Sequence, residues 1–229
     1  METMRVRLTF TDEILGTASA RPDVHEKFIA SKAPDAATRE QEVAAVGVEQ
    51  AIKDAMTVFP KNENGEPIFW PYQILGMFKS AQQAINQSVD KSNRKESKQY
   101  MASYKSKLDL GVFIKATDSE WGDRSMIVIH MPEGAEMSNC ERPLRCETMQ
   151  GPRVSLANSE TCPIGSWIEF DIRTMTADLM ERVRTYLDFG LYNGLGQWRN
   201  SGKGRYKWDE IGKDGKIVGG NNEHLKAGK

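Results

Sequence analysis

The stretch GLGQWRNSGKGRYKW, residues 194–208, carries the clearest chemistry in the sequence. It places glycine at 194, 196, 202 and 204, sets Arg199, Lys203, Arg205 and Lys207 among them without an acid, and includes Trp198 and Trp208. Glycine lacks a Cβ, so Gly194, Gly196, Gly202 and Gly204 would let the backbone turn tightly and bring its N–H groups against a ligand. Unopposed cations suggest that this ligand is an anion. Tryptophan adds a flat apolar face, and charge combined with aromatic surface is what single-stranded nucleic acid binds. Nucleotides and phosphosugars share that chemistry. Neither a Walker A loop nor a dinucleotide fingerprint fits, because this loop is expected to follow a helix and precede a strand, the reverse of those motifs.

Three further groups of residues carry candidate chemistry. In ERPLRCETMQGPRVSLANSE, residues 141–160, Arg142, Arg145 and Arg153 flank Pro143 and a Gln-Gly-Pro turn. They read either as exposed arginines of a plain hairpin or as a finger, since a guanidinium both forks onto phosphate and stacks on a base. Such a finger would also reach a neighbouring subunit. Residues 79–107 hold Lys79, Lys91, Arg94, Lys95, Lys98, Lys105 and Lys107 against only Asp90 and Glu96. This run is ordinarily a solvated face; bordering the glycine-rich loop, it would complete a positive groove with Lys79 near the ligand's path. Tyr100 and Tyr104, four residues apart, are either stacking platforms or packing residues. Asp23 and His25 in RPDVHEKF are the candidates for catalysis, against the reading of an ordinary exposed loop. Asp12 and Glu13 stand closer to the first strand, while Glu160, Glu169 and Asp171 are expected to face solvent or pair with arginines.

The totals bound these readings. A chain of 229 residues with 39% hydrophobic content is long enough for one folded unit with a packed core. Its formal net charge of −1 argues against a protein that coats DNA indiscriminately, so any electrostatic footprint must be local. No window approaches the roughly 18 apolar residues of a membrane span, and the amino terminus lacks a signal-peptide pattern, which predicts a cytoplasmic protein with no membrane partner. Cys140, Cys146 and Cys162 are odd in number and lack paired spacing, as expected of reduced thiols rather than a zinc knuckle. His25, His130 and His224 lie far apart. No metal and no cofactor is expected.

The elements that must position these residues follow from periodicity. MRVRLTF, residues 4–10, alternates apolar and polar residues as a half-buried strand. Residues 36–56 read as a helix weakened by Gly47, KNENGEP as a polar turn, and residues 71–86 as an amphipathic helix through Ile74, Leu75, Phe78, Ala81 and Ile85. The following basic segment looks mobile at first and helical later. LGVFIKA (110–116), SMIVIHM (125–131), SWIEFDI (166–172) and RYKWDEI (205–211) read as strands. Residues 132–163 form an excursion or hairpin, and 178–189 a helix. Without its insertions the order is strand, helix, strand, strand, helix, strand: an α+β, ferredoxin-like (RRM-like, split βαβ) core. This gives a single domain over 1–210, with insertions at about 11–70 and 116–165, and a flexible tail over 211–229.

Three segments in this order resemble the RAMP superfamily, whose members include backbone subunits that assemble along guide RNA in CRISPR effector complexes. FWPYQILGMFKSAQQAI resembles the family's Gly-x-x-(Lys/Arg) core in an amphipathic helix. NSETCPIGSWIEFDI is similar to its acid, Pro-x-Gly turn and strand ending in Glu-Phe-x-Ile, and LYNGLGQWRNSGKGRYKW to its glycine-rich loop and closing strand. The arginine-bearing stretch falls where such subunits carry a projecting hairpin. In overall texture the chain resembles a group of phage and prophage proteins ending in GLGQWRNSGKGR. The resemblance implies a noncatalytic, oligomer-forming binder of single-stranded RNA or DNA, with Lys79, Arg142, Arg145, Arg153, Trp198, Arg199, Lys203 and Arg205 on the nucleic acid. It also admits an endoribonuclease using Asp23 or His25, or a phage protein that mimics a CRISPR subunit and binds host effector proteins.

Overall fold

The computed structural model describes residues 1–19, 56–123, 125–148 and 151–222, and the side chains among them except those of 19, 144–148 and 152–155. The helix expected over 36–56 therefore lies outside the described residues, apart from residue 56. What is described is a mixed α+β protein with mainly antiparallel sheets, only the pairing of Thr57–Val58 with Gly151–Cys162 being parallel among the described strands, and three α-helices.

Strand β1 (Glu2–Phe10) organises the molecule. Its alternation buries Met4, Val6, Leu8 and Phe10 and turns Arg5, Arg7 and Thr9 to the opposite face. β1 runs antiparallel between β10 (Trp167–Thr174) and β11 (Tyr206–Ile211). With β6 (Val112–Ala116) and β12 (Ile217–Gly220) added, the five-stranded order is β12–β11–β1–β10–β6. SWIEFDI forms a strand as expected, and alternate residues Ile168, Phe170 and Ile172 are fully buried.

Helices α1 (Pro71–Ser88) and α3 (Ala177–Asn193) cover the apolar face, with α2 (Tyr104–Gly111) beside α1. Pro71 starts α1 where its missing N–H costs nothing, and the Gln73 side chain reaches back to accept from the Trp70 N–H at 2.8 Å. Buried Ile74, Met77, Phe78 and Ala81 form its inner stripe. α3 is capped by the Thr176 hydroxyl and buries Met180, Val183, Tyr186 and Leu187. At Gly190 the helix comes so close to β11 that a Cβ would lie 2.0 Å from the Tyr206 ring.

The predicted insertions assemble a second sheet. β2 (Ile14–Leu15), β3 (Ala18–Ser19) and β4 (Thr57–Val58) join β9 (Gly151–Cys162) in the order β2–β9–β4–β3, and β8 (Ser138–Thr148) pairs β9 along its length, from Ser138 opposite Thr161 to Thr148 opposite Gly151. A small pair, β5 (Ile68–Phe69) with β7 (Ile127–Val128), completes the strands.

Three expectations change. The 125–131 strand shrinks to β7, because its only ladder partner among the described residues is two residues long. LGVFIKA begins its strand at Val112, since Tyr104–Gly111 is helical. The tail over 211–229 is not loose throughout: Gly212 donates to the Lys216 carbonyl at 2.7 Å and the chain returns as β12 along β11. Glycine and asparagine here make a hairpin turn, the composition that otherwise reads as slack chain.

Candidate nucleic-acid interface

The glycine-rich loop connects α3 to β11, as its sequence predicts. All four glycines have positive φ: 64° at Gly194, 92° at Gly196, 90° at Gly202 and 71° at Gly204. Two of them explain the loop's shape. A Cβ on Gly204 would lie 1.8 Å from the Leu195 carbonyl oxygen, and one on Gly194 would lie 2.6 Å from that of Lys203. Leu195 N–H donates to the Gly204 carbonyl at 2.9 Å, and Gly204 N–H to Glu13 at 2.8 Å. At these two positions glycine lets the loop's arms lie on each other and on the β1–β2 turn, rather than opening backbone to a ligand.

The loop's cations divide. Lys203 reaches Asp12 at 3.1 Å and Glu13 at 2.9 Å. Its hydrogen bond to Glu13, with Asp12 beside it, holds the ammonium above its ordinary value despite partial burial. The acid missing from the loop is supplied by residues about 190 positions earlier. By contrast, half-buried Arg199 and exposed Arg205 form no ion pair with any described residue. Lys79 pairs with Asp109 on α2 instead of turning toward the loop.

Trp198 directly precedes Arg199 in the loop and packs against Arg142 of the β8–β9 hairpin. Its φ of 55° is an outlier for a bulky residue and requires support from its surroundings. Arg142 lies over the Trp198 ring at 5.0 Å, donates to the Gln197 side-chain oxygen at 3.0 Å and approaches the Ser159 hydroxyl at 3.5 Å. Ser159 is held in turn by Thr57 at 2.8 Å. Arg142 is 7% exposed, so it joins hairpin to loop rather than projecting as a finger. Arg145 and Arg153 lie opposite Val154 and Cys146 in the hairpin register, and their side chains are outside the described ones. Trp208, grouped with Trp198 by sequence, is buried and donates its indole N–H to Asp188 at 2.9 Å, which makes it a core residue.

Asp23 and His25 lie outside the described residues. Among those described, no group of three or more His, Cys, Asp or Glu side chains could hold a metal, and no helix is long and apolar enough to cross a membrane. No family model and no curated protein matches the chain.

Solved structures are similar at a distance. A type III-B Cmr-beta CRISPR complex bound to cognate target RNA matches with a TM-score of 0.47 and 9% identity, over 95% of this chain and 60% of that one. This chain thus spans about three fifths of that protein's length. A type IV-B CRISPR complex matches with a TM-score of 0.42 and 11% identity, over 96% of this chain and 94% of that one. Both likenesses are remote.

The sheet face opposite the helices balances its own charges. Arg5 and Lys115 both bind Asp171, at 2.8 and 2.9 Å, and Arg7 binds Glu169 at 2.8 Å. Burial opposes ionisation of Asp171, but hydrogen bonds from Arg5 and Lys115 outweigh it and hold the carboxyl below its ordinary value. Trp167 stacks on His130 at 4.0 Å with Arg7 4.5 Å from its ring. These charges and rings are spent on one another, as expected for Glu169 and Asp171. Glu160 takes other partners, the Phe59 N–H and Lys61, each at 2.9 Å.

Sequence reading also missed an internal polar network. Gln82, fully buried on α1, donates to the Gln99 carbonyl at 3.0 Å and accepts from Tyr186 at 2.5 Å. Burial pushes the Tyr186 phenol up to about 12. A single glutamine on an apolar helix stripe gives one hint of this, an amide where the pattern calls for a hydrocarbon.

Proposed function

We propose that the protein is a noncatalytic binder of single-stranded RNA or DNA that adds copies along the strand, with Trp198, Arg199 and Arg205 as its central contacts. One observation carries the reading: a tryptophan held in a strained backbone conformation and covered by Arg142 belongs to the same loop as two arginines that no described carboxylate neutralises. A planar platform next to uncompensated cations is the pairing a strand of stacked bases and phosphates requires. Lys203 and Lys79 serve stability in this reading. Arg142 acts by positioning Trp198.

The fold supports the same proposal. The order β11–β1–β10–β6, with helical crossovers after β1 and β10, supports reading this sheet as the split βαβ, ferredoxin-like core that the resemblance implies. Repetition along a strand is supported by the two outer strands of this sheet, β6 and β12, where Phe113, Ile217 and Val218 are exposed.

The test is fluorescence anisotropy with labelled single strands of about 16 nucleotides across a salt series. Trp198→Ala should weaken binding by about 1–3 kcal/mol, and the Arg199→Ala/Arg205→Ala pair should flatten the slope of log K against log salt by about 1.4. Wild-type protein that ignores RNA and DNA strands at low salt would overturn the proposal.

A further inference from the structure

We infer that residues 89–107, which join α1 to α2 and include the first turn of α2, form a second phosphate-binding surface for the same single strand, an inference that rests on the function proposed above. Lys91, Lys95, Lys98, Lys105 and Lys107 are all exposed, and none is ion-paired with a described residue. The nearby acids are committed or outnumbered. Asp90 accepts from the Ser92 N–H and hydroxyl at 2.9 and 2.7 Å, Asp109 holds Lys79, and only Glu96 remains.

A lysine run that serves only solubility needs no fixed shape, yet this one is tied to the core. The buried Gln82 amide donates to the Gln99 carbonyl, and the Asn86 side chain both donates to the Met101 carbonyl and accepts its N–H, each at 2.9 Å. Arg182 on α3 reaches the carbonyls of Lys98 and Gln99 at 2.5 and 3.1 Å. Like charges gathered on a backbone fastened at Lys98, Gln99 and Met101 repel one another, and an anionic ligand relieves that repulsion without having to order this part of the chain first. Beside them lies a shallow depression lined by Asn86, Tyr100, Met101, Ser103, Tyr104 and Lys105, which supplies aromatic surface next to the charge.

The two cation groups are linked by one rigid element. Arg182 grips the lysine segment near the start of α3, and the glycine-rich loop begins at its end, about 18 Å further along the axis. One strand of about 16 nucleotides is long enough to cross both.

The experiment compares wild type, Lys91→Gln/Lys95→Gln/Lys98→Gln and Arg199→Ala/Arg205→Ala by anisotropy on such a strand over a salt series, with thermal melting to verify folding. The lysine variant should melt like wild type, bind at least tenfold more weakly at low salt, and lose about 2 from its salt slope, or about 0.7 per lysine. Unchanged affinity and slope in the lysine variant, alongside a weakened arginine variant, overturns this inference and leaves the proposed function standing. Failure of the wild type to bind removes both.

Discussion

Lys203 and Arg205 stand two residues apart in one loop and meet opposite electrostatic surroundings. Lys203 is neutralised by Asp12 and Glu13, so Lys203→Ala should leave the salt slope of strand binding within error of wild type, whereas Arg205→Ala should lower it by about 0.7. Replacing the acids, Asp12→Asn with Glu13→Gln, should free the ammonium and steepen the slope by a similar amount. The loop's cations were legible in the sequence, but their partners were not: Glu13 is 190 residues from Lys203, a distance over which spacing carries no information. Asp171 is a second case. Its native carboxyl titrates below the unfolded value of about 3.9, so it contributes stability above that pH, and the contribution is lost as pH falls through the native value. Asp171→Asn would leave Lys115, 8% exposed, without its counter-charge, and should cost about 3 kcal/mol, or about 10 °C in Tm at pH 7. The loss should shrink in acid, as differential scanning calorimetry at pH 7 and pH 3 would show.

Elements whose own residues carry the pattern were legible before the structure. The alternation in β1 and the apolar stripes of α1 and α3 are local properties, and they appear within a few residues of the expected limits. Elements defined by a partner were not: β7 ends where β5 ends, and β12 exists because β11 offers it an edge. The contact between α3 and β11 belongs to this second kind. By propensity alone Gly190 is a weak point in a helix, yet it is the place where helix and sheet touch through the Tyr206 ring. Gly190→Ala, favourable by helix propensity alone, should therefore destabilise the protein by about 2 kcal/mol or more in urea unfolding, through overpacking. In the same spirit, Gln82→Ala should cost about 2 kcal/mol and accelerate amide exchange at Met101, because it releases one of the fastenings of the lysine segment.

Taken as a whole, the molecule is nearly neutral; among the described residues, unpaired cations gather in the glycine-rich loop and in the lysine segment, while the sheet face opposite the helices cancels its own charge. Such a distribution favours defined contacts over indiscriminate adhesion to polyanions. The architecture also sets a timetable. β1 occupies the middle of its sheet, yet its partners lie on β10 and β11, and Arg5 is separated from Asp171 by 166 residues. At about 5–20 residues per second, the ribosome needs about 10–30 s to make that intervening chain. For that interval Met4, Val6, Leu8 and Phe10 have neither β10 nor β11 to lie against, and an apolar, unpaired strand on a nascent chain is a target for chaperones and a seed for aggregation.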